Sequence, residues 1–195
     1  MKNTITLILL FFISYLNAQN TEKTKSSRHF SAQLLGLTIH PGGGAMPQNY
    51  PWKLDAKATF VLTPGVALNY DWAWKKHIFW RAAAGFYADC AILPAGYLHI
   101  GFRWEALRFG RHTFNGGLGP GFLFRKDWHR FEPAYWGDPI FGDRVFKDWQ
   151  YRLTPIIGEV EYLYKINEHL QFQYSVLPAY PAVIVSRMGL RWAIN

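Results

Sequence analysis

From Phe30 onward the apolar residues recur at every second position, and this constrains the fold more than any motif in the chain. A side-chain period of two belongs to β-strands whose two faces meet different surroundings. Val66 to Trp74 sets Leu68, Tyr70, Trp72 and Trp74 against Ala67, Asn69, Asp71 and Ala73. Ile78 to Asp89 sets Trp80, Ala82, Ala84 and Phe86 against Arg81, Ala83, Gly85, Tyr87 and Asp89. Tyr97 to Glu105 opposes Leu98, Ile100, Phe102 and Trp104 to His99, Gly101, Arg103 and Glu105. Thr113 to Arg125 and Leu170 to Val176 repeat the pattern. Half of the 195 residues are apolar and 18% are aromatic. Yet beyond residue 18 no run approaches the ~20 apolar residues that a membrane helix needs. A closed barrel, which shows lipid at alternate residues, spreads its hydrophobicity in this way.

Three further strands are less regular. They fall at about 29–40, 149–165 and 182–193, with Pro155 predicting a bulge in the second of them. The total is eight, an even number as bacterial outer-membrane barrels require. The connections alternate in length. Those at Lys75-Lys76-His77, Arg108-Phe109-Gly110 and Ile166-Asn167-Glu168 are short and read as periplasmic turns. Those at about 41–57, 90–94 and 126–148 read as external loops, joined by a tight Pro-Ala-Tyr-Pro turn at 178–181.

The N-terminus reads as an export signal. Lys2 precedes the apolar stretch Ile5 to Ile13, and Ala18 closes a plausible cleavage site. The expected organisation is a signal peptide over 1–18, a flexible periplasmic lead over 19–28, and a barrel over 29–195. The formal net charge of +8 falls to +7 once Lys2 is removed. An exported chain meets no nucleic acid, so outer-membrane lipids, including lipopolysaccharide, are the expected partners of that charge. Cys90 is the single cysteine and forms no internal disulfide.

The nine tryptophans sort into two belts. Trp72, Trp74, Trp80, Trp104 and Trp192 sit at strand ends beside the short turns. Trp52, Trp128, Trp136 and Trp149 sit in or beside the long loops. Amphipathic rings favour the two headgroup levels of a bilayer. Alternation, belts and strand count together resemble the small eight-stranded outer-membrane barrels of Gram-negative bacteria. The resemblance covers about residues 29–193 and is one of architecture. It implies an all-β, eight-stranded antiparallel transmembrane β-barrel, an up-and-down meander in the cell outer membrane.

The expected inward faces carry Asp71, Arg81, Asp89, His99, Arg103, Glu105, Arg125, Glu159, Glu161, Arg187 and Arg191. An eight-stranded barrel is just wide enough for side chains to fill. Buried charges persist only when paired and hydrogen-bonded. A packed salt-bridge core is therefore expected, with Glu159 and Glu161 facing Arg187 and Arg191 across one strand. Gly117, Gly119 and Gly121 would leave room for long arginines.

No complete catalytic set emerges. His112-Thr113-Phe114-Asn115 resembles the His-x-Ser-Asn stretch of outer-membrane lipid A deacylases, but Phe114 stands where the nucleophilic serine would be. The rim expected at the external end holds His40, Asp55, Asp89, Asp127, His129, Glu132, Asp138 and Asp143. Lipid A acyltransferases of this barrel size use a rim His and Ser, and the three long loops contain no serine. Ser186 is expected to face outward, and Cys90 is the remaining nucleophile. The seven histidines have no ligand spacing, and no metal or cofactor is expected. The 126–148 loop mixes aromatics with cations, and either Trp128, His129, Arg130, Tyr135, Trp136 and Arg144 grip a lipid phosphate, a surface glycan or a protein partner, or the loop folds over the barrel mouth as a plug. The expected function is a filled barrel with a structural or surface-interaction role. The alternative is a lipid A-modifying enzyme, acyl hydrolase or acyltransferase, working at the external rim.

Overall fold

A computed structural model describes residues 28–131, 135–136, 138–143, 145–179 and 183–194. The expected signal peptide and lead lie outside these residues, except that Arg28 opens the first strand. The elements are β1 (Arg28–Ile39), a 3-10 turn (Pro47–Asn49), β2 (Phe60–Lys75), β3 (Ile78–Ala88), β4 (Pro94–Phe109) and β5 (His112–Lys126). They continue with β6 (Val145–Phe146), β7 (Trp149–Lys165), β8 (Leu170–Ala179) and β9 (Val183–Ile194). Successive long strands pair antiparallel, β5 pairs with β7, and β1 pairs with β9. The result is the expected closed, eight-stranded meander. The two-residue β6 hangs on the loop end of β7 through Val145 opposite Gln150.

The register fixes the barrel's stagger. From Tyr97 the aligned pairs run through Gly85, Ala67, Gln33, Gly189, Gln173 and Leu163 to Thr113 on β5. Tyr97 itself aligns with Leu123 on β5, ten residues away. A path across the strands therefore runs steadily from the long-loop end at Tyr97 down to the short-turn end at Thr113, which is the shear that closure requires. The bulge expected at Pro155 is present: between Gly119 and Gly121 on β5 the partner advances from Ile157 to Thr154, so Pro155 and Ile156 face Pro120 alone. β2 and β4 run 16 residues each, longer than their clean alternation. The burial alternation of β2 runs on to its loop end through Val61 and Thr63, whereas the last four residues of β4 are exposed on both faces.

The two faces are inverted relative to a water-soluble protein. Leu34, Val66, Leu68, Phe86, Leu98, Ile100, Val160 and Met188 point outward and are exposed. The largest fully buried side chains include Arg81, Arg103, Arg187, Gln33, Gln173 and Glu161. Such a molecule is at equilibrium only where the medium around its wall is itself apolar.

Candidate functional site

The interior has two levels. The lower level, nearer the short turns, is an ion-pair network centred on Arg81. Its guanidinium forks onto Asp71, Nε to Oδ1 at 2.6 Å and Nη2 to Oδ2 at 2.8 Å, while Nη1 reaches Glu159 at 3.0 Å and Glu161 at 2.7 Å. Arg187 donates to Glu159 at 2.5 Å and to the Tyr97 hydroxyl. Arg103 donates to the other Glu159 oxygen. Arg191 donates to Asp71 at 3.0 Å and to Gln171 at 2.7 Å. Asn115 and Gln173 donate to Glu161. Planar forks of this kind match carboxylates bidentately, which lets one arginine tie three strands together. His99 Nδ1 lies 2.9 Å from the Pro120 carbonyl, so Nε2 is left to accept from Arg103 at 3.3 Å. A Cβ at Gly117 would collide with the Arg103 guanidinium, so this glycine clears the path expected of it. Gly119 and Gly121 instead face the β4 backbone and Ile157.

The pairing differs from the expected one. Arg187 takes Glu159, but Glu161 goes to Arg81 and Arg191 goes to Asp71. The cause is that the barrel stagger lets residues meet across the bore as well as across one intervening strand. Three of the residues expected in the network stand apart from it. Glu105 points inward but sits at the turn end, where it accepts from Arg108 and His77. Asp89 and Arg125 belong to the upper level.

That upper level closes the mouth. Met46, Tyr50, Ala58, Val61, Cys90 and Trp128 form a buried cluster, joined by Phe131 and Tyr135. Trp128, whose loop was expected either to grip a surface partner or to plug the mouth, is turned inward and only 4% exposed. Its Nε1 donates to Asp89 at 2.7 Å, and Arg125 lies 3.9 Å over its ring. Asp89 also caps the amides of Ala91 and Leu93, so its bonds are to neutral donors rather than to a cation. Arg125 pairs with Asp138 at 2.8 Å and bonds Gln150. His40 places Nε2 3.2 Å from Cys90 Sγ. Burial lowers the His40 pKa and pushes the Cys90 thiol up to about 12, so this pair is a neutral packing contact and not an activated nucleophile.

Above the mouth, the loop candidates form a smaller group. His129 stacks on Trp136 with ring centroids 3.9 Å apart and lies 2.9 Å from Asp127 and 3.4 Å from Asp143. Trp136 is 63% exposed and Arg130 is exposed, whereas Tyr135 packs on Trp128. Arg144, like Glu132 of the rim, lies outside the described residues. His112 bonds the Tyr162 hydroxyl at 2.9 Å at the turn end, and Ser186 bonds the Leu37 carbonyl. Among the described residues no cluster of three metal-ligating side chains occurs.

Sequence reasoning allowed for a plug from the 126–148 loop and placed His40, Asp89 and Asp138 at the rim, but missed Tyr50, Gln150 and the His40–Cys90 contact. Alternation did carry a signal for the amides of the lower level, since Asn69, Asn115 and Gln173 share faces with the charged residues.

Fold and interior together define a small eight-stranded barrel of the outer-membrane type. No protein-family model matches the chain, and no curated protein matches it. Among solved structures, the N-terminal β-barrel domain of OprF from Pseudomonas aeruginosa is 7% identical, with a TM-score of 0.48, covering 87% of this chain and 100% of that one. Ail, the attachment invasion locus protein of Yersinia pestis, solved with a heparin analogue, is 12% identical with a TM-score of 0.45, covering 87% and 97%. A de novo designed transmembrane β-barrel is 8% identical with a TM-score of 0.45, covering 89% and 100%. These are likenesses of architecture and carry neither ligand nor activity.

Proposed function

We propose that this protein resides in the cell outer membrane as a sealed, non-conducting barrel that holds an external loop platform for surface interaction. The observation that carries this reading is the double closure. Arg81 is fully buried among three carboxylates, and Trp128 and Tyr50 stop the mouth above it. A bore occupied twice over leaves no continuous water path. Its charges are committed to one another, so none is left to select or conduct an ion. The outward apolar wall supports a bilayer location, and the aromatic rows at the turn end, such as Trp72 stacked on Trp80, support anchoring at a headgroup level. The platform itself combines exposed Trp136 with Arg130, a pairing suited to lipopolysaccharide phosphates, a glycan or a protein surface.

Planar-bilayer recording tests this directly. Purified protein should give no sustained conductance, and steady reproducible open-channel currents would overturn the sealed bore. A comparison of lipid A mass spectra from cells with and without the gene tests the enzymatic alternative. Unchanged acylation is expected.

A further inference from the structure

The outer wall is not uniform. On β3 the outward residues between Trp80 and Phe86 are Ala82 and Ala84, flanked by bulky residues on β2 and β4. The missing side-chain volume opens an apolar groove of about 590 Å³. Two aligned rows line it, one from Phe30 through Tyr70 and Ala82, the other through Ala84 and Leu98 to Leu153. It crosses six strands, β1 to β5 and β7, hence five spacings of ~4.8 Å or ~24 Å in all. Because of the stagger, it rises diagonally from the turn end at Phe30 toward the loop end at Leu153. One leaflet's share of the ~30 Å hydrocarbon core, traversed at ~45°, is about that length.

Charge marks which end takes a headgroup. Arg28 lies two residues before Phe30 on the same outward face and is exposed. Lys75 lies at the adjacent β2–β3 turn with its ammonium 5.2 Å from the Trp74 ring centroid. Among the described residues, the turn end holds Arg28, Lys75, Lys76, Arg108, Arg111 and Lys165 against Glu105 and Glu168. Both carboxylates are already engaged, Glu105 by Arg108 and Glu168 by Lys165. The loop end, by contrast, interleaves Lys53, Lys57, Lys126, Arg130, Lys147 and Arg152 with Asp55, Asp127, Asp143 and Asp148, and Arg152 is already engaged by the Pro139 and Ile140 carbonyls.

From the groove and the charge beside it, we infer a binding site for one anionic phospholipid of the leaflet at the turn end. Its phosphate is held by Arg28 with Lys75, and one acyl chain lies over Ala82 and Ala84. Arg28 supplies a planar fork for the phosphate and Lys75 a point charge. The Phe30 ring, stacked on Trp192 at 6.2 Å, forms the threshold between headgroup and chain. The inference rests on the bilayer location proposed above.

The test is native mass spectrometry of protein reconstituted into vesicles of phosphatidylglycerol and phosphatidylcholine and then extracted in mild detergent. Wild type should retain phosphatidylglycerol several-fold over phosphatidylcholine. Ala82→Leu with Ala84→Leu fills the groove and should abolish retention of both lipids, with barrel folding checked by heat-dependent gel mobility. Arg28→Gln with Lys75→Gln should cut phosphatidylglycerol retention to the phosphatidylcholine level, while Lys53→Gln with Lys57→Gln at the loop end should leave it unchanged. Equal retention of the two lipids by wild type, or undiminished phosphatidylglycerol retention in the Arg28/Lys75 variant, overturns the site. Failure of wild type to insert into vesicles at all overturns the bilayer location and the site together, so the two failures are distinguishable.

Discussion

The two closures of this barrel solve one problem with opposite chemistry. In the lower level, four arginines meet three carboxylates, all of them buried, and each of these side chains is held by charge-assisted bonds. In the upper level, rings and thioether pack around one tryptophan, and charge is confined to Asp89, Arg125 and Asp138 at its edge. The difference lies in what each closure is attached to. The lower residues all sit on paired strands, whose backbone fixes their geometry to the precision that buried ion pairs demand. The upper residues come mostly from loops, where apolar packing tolerates small displacements that a buried charge would not. The lower level should therefore set the stability of the whole barrel, and the upper level only its own.

The largest effect is expected from Arg81→Ala. It leaves Glu161 buried without a cation and takes one partner each from Asp71 and Glu159, which keep Arg191 and the Arg103–Arg187 pair, and loss of one partner from a buried pair costs about 3–5 kcal/mol. Urea unfolding in detergent should show that loss across the whole barrel. Glu161→Ala should follow closely, because it deprives Arg81, Asn115 and Gln173 at once. Asp127→Ala at the loop surface should cost under about 1 kcal/mol, as expected of a surface ion pair. Equal, small losses from Glu161→Ala and Asp127→Ala would mean that the lower network is hydrated and the contrast false.

Trp128→Ala comes next. Removing a buried tryptophan costs about 3–5 kcal/mol, and here it also leaves Asp89 without its indole donor. The loss should stay local. Amide hydrogen exchange should quicken over residues 46–58 and 127–131 while the amides of β2, β3 and β4 keep their protection. Loss of protection in those strands as well would show the two closures to be one cooperative unit.

The contrast also explains what could be read from the chain. The lower level was legible because period two places residues on a face without any knowledge of contacts: Asp71, Arg81, Glu159 and Arg187 could be assigned inward from neighbours alone. Their partners were not, because pairing depends on the stagger, a global quantity that local alternation does not encode. Glu105 faces inward as expected, but alternation could not say that it sits at the turn end and pairs with Arg108 and His77 instead of the Arg81 network. The upper level was largely illegible. Loop residues have no period, so nothing in the 126–148 stretch distinguished Trp128, which turns inward, from Trp136, which does not. The His40–Cys90 contact joins residues 50 apart through a turn geometry that composition does not announce.

The smallest effect separates the closures by pH. His40 ends β1 with its ring 5.7 Å from Tyr50 and its Nε2 against Cys90. Burial depresses its pKa below the usual 6.5, so the unfolded cap binds a proton more readily than the folded one. Its contribution is then full above about 6.5 and declines as pH falls through that value toward the depressed one. Asp89 acts in the opposite sense: burial raises its pKa above 3.8, so the folded cap gains as pH falls toward that value. Burial holds the Cys90 thiol at about 12 and raises the Tyr50 and Tyr135 phenols, so these neighbours do not respond here. The cap should therefore loosen between about pH 7.5 and about pH 5.5, within the range that histidine alone spans, and the trend should flatten at lower pH as Asp89 compensates. Amide exchange over residues 46–58, corrected for its intrinsic pH dependence, measures this. His40→Gln should remove the slope, while the amides of β2 and β3 stay indifferent in both proteins. If His40→Gln keeps the slope of wild type, the cap titrates through another group, and the division between a charge-locked lower closure and a proton-sensitive upper one fails at that point.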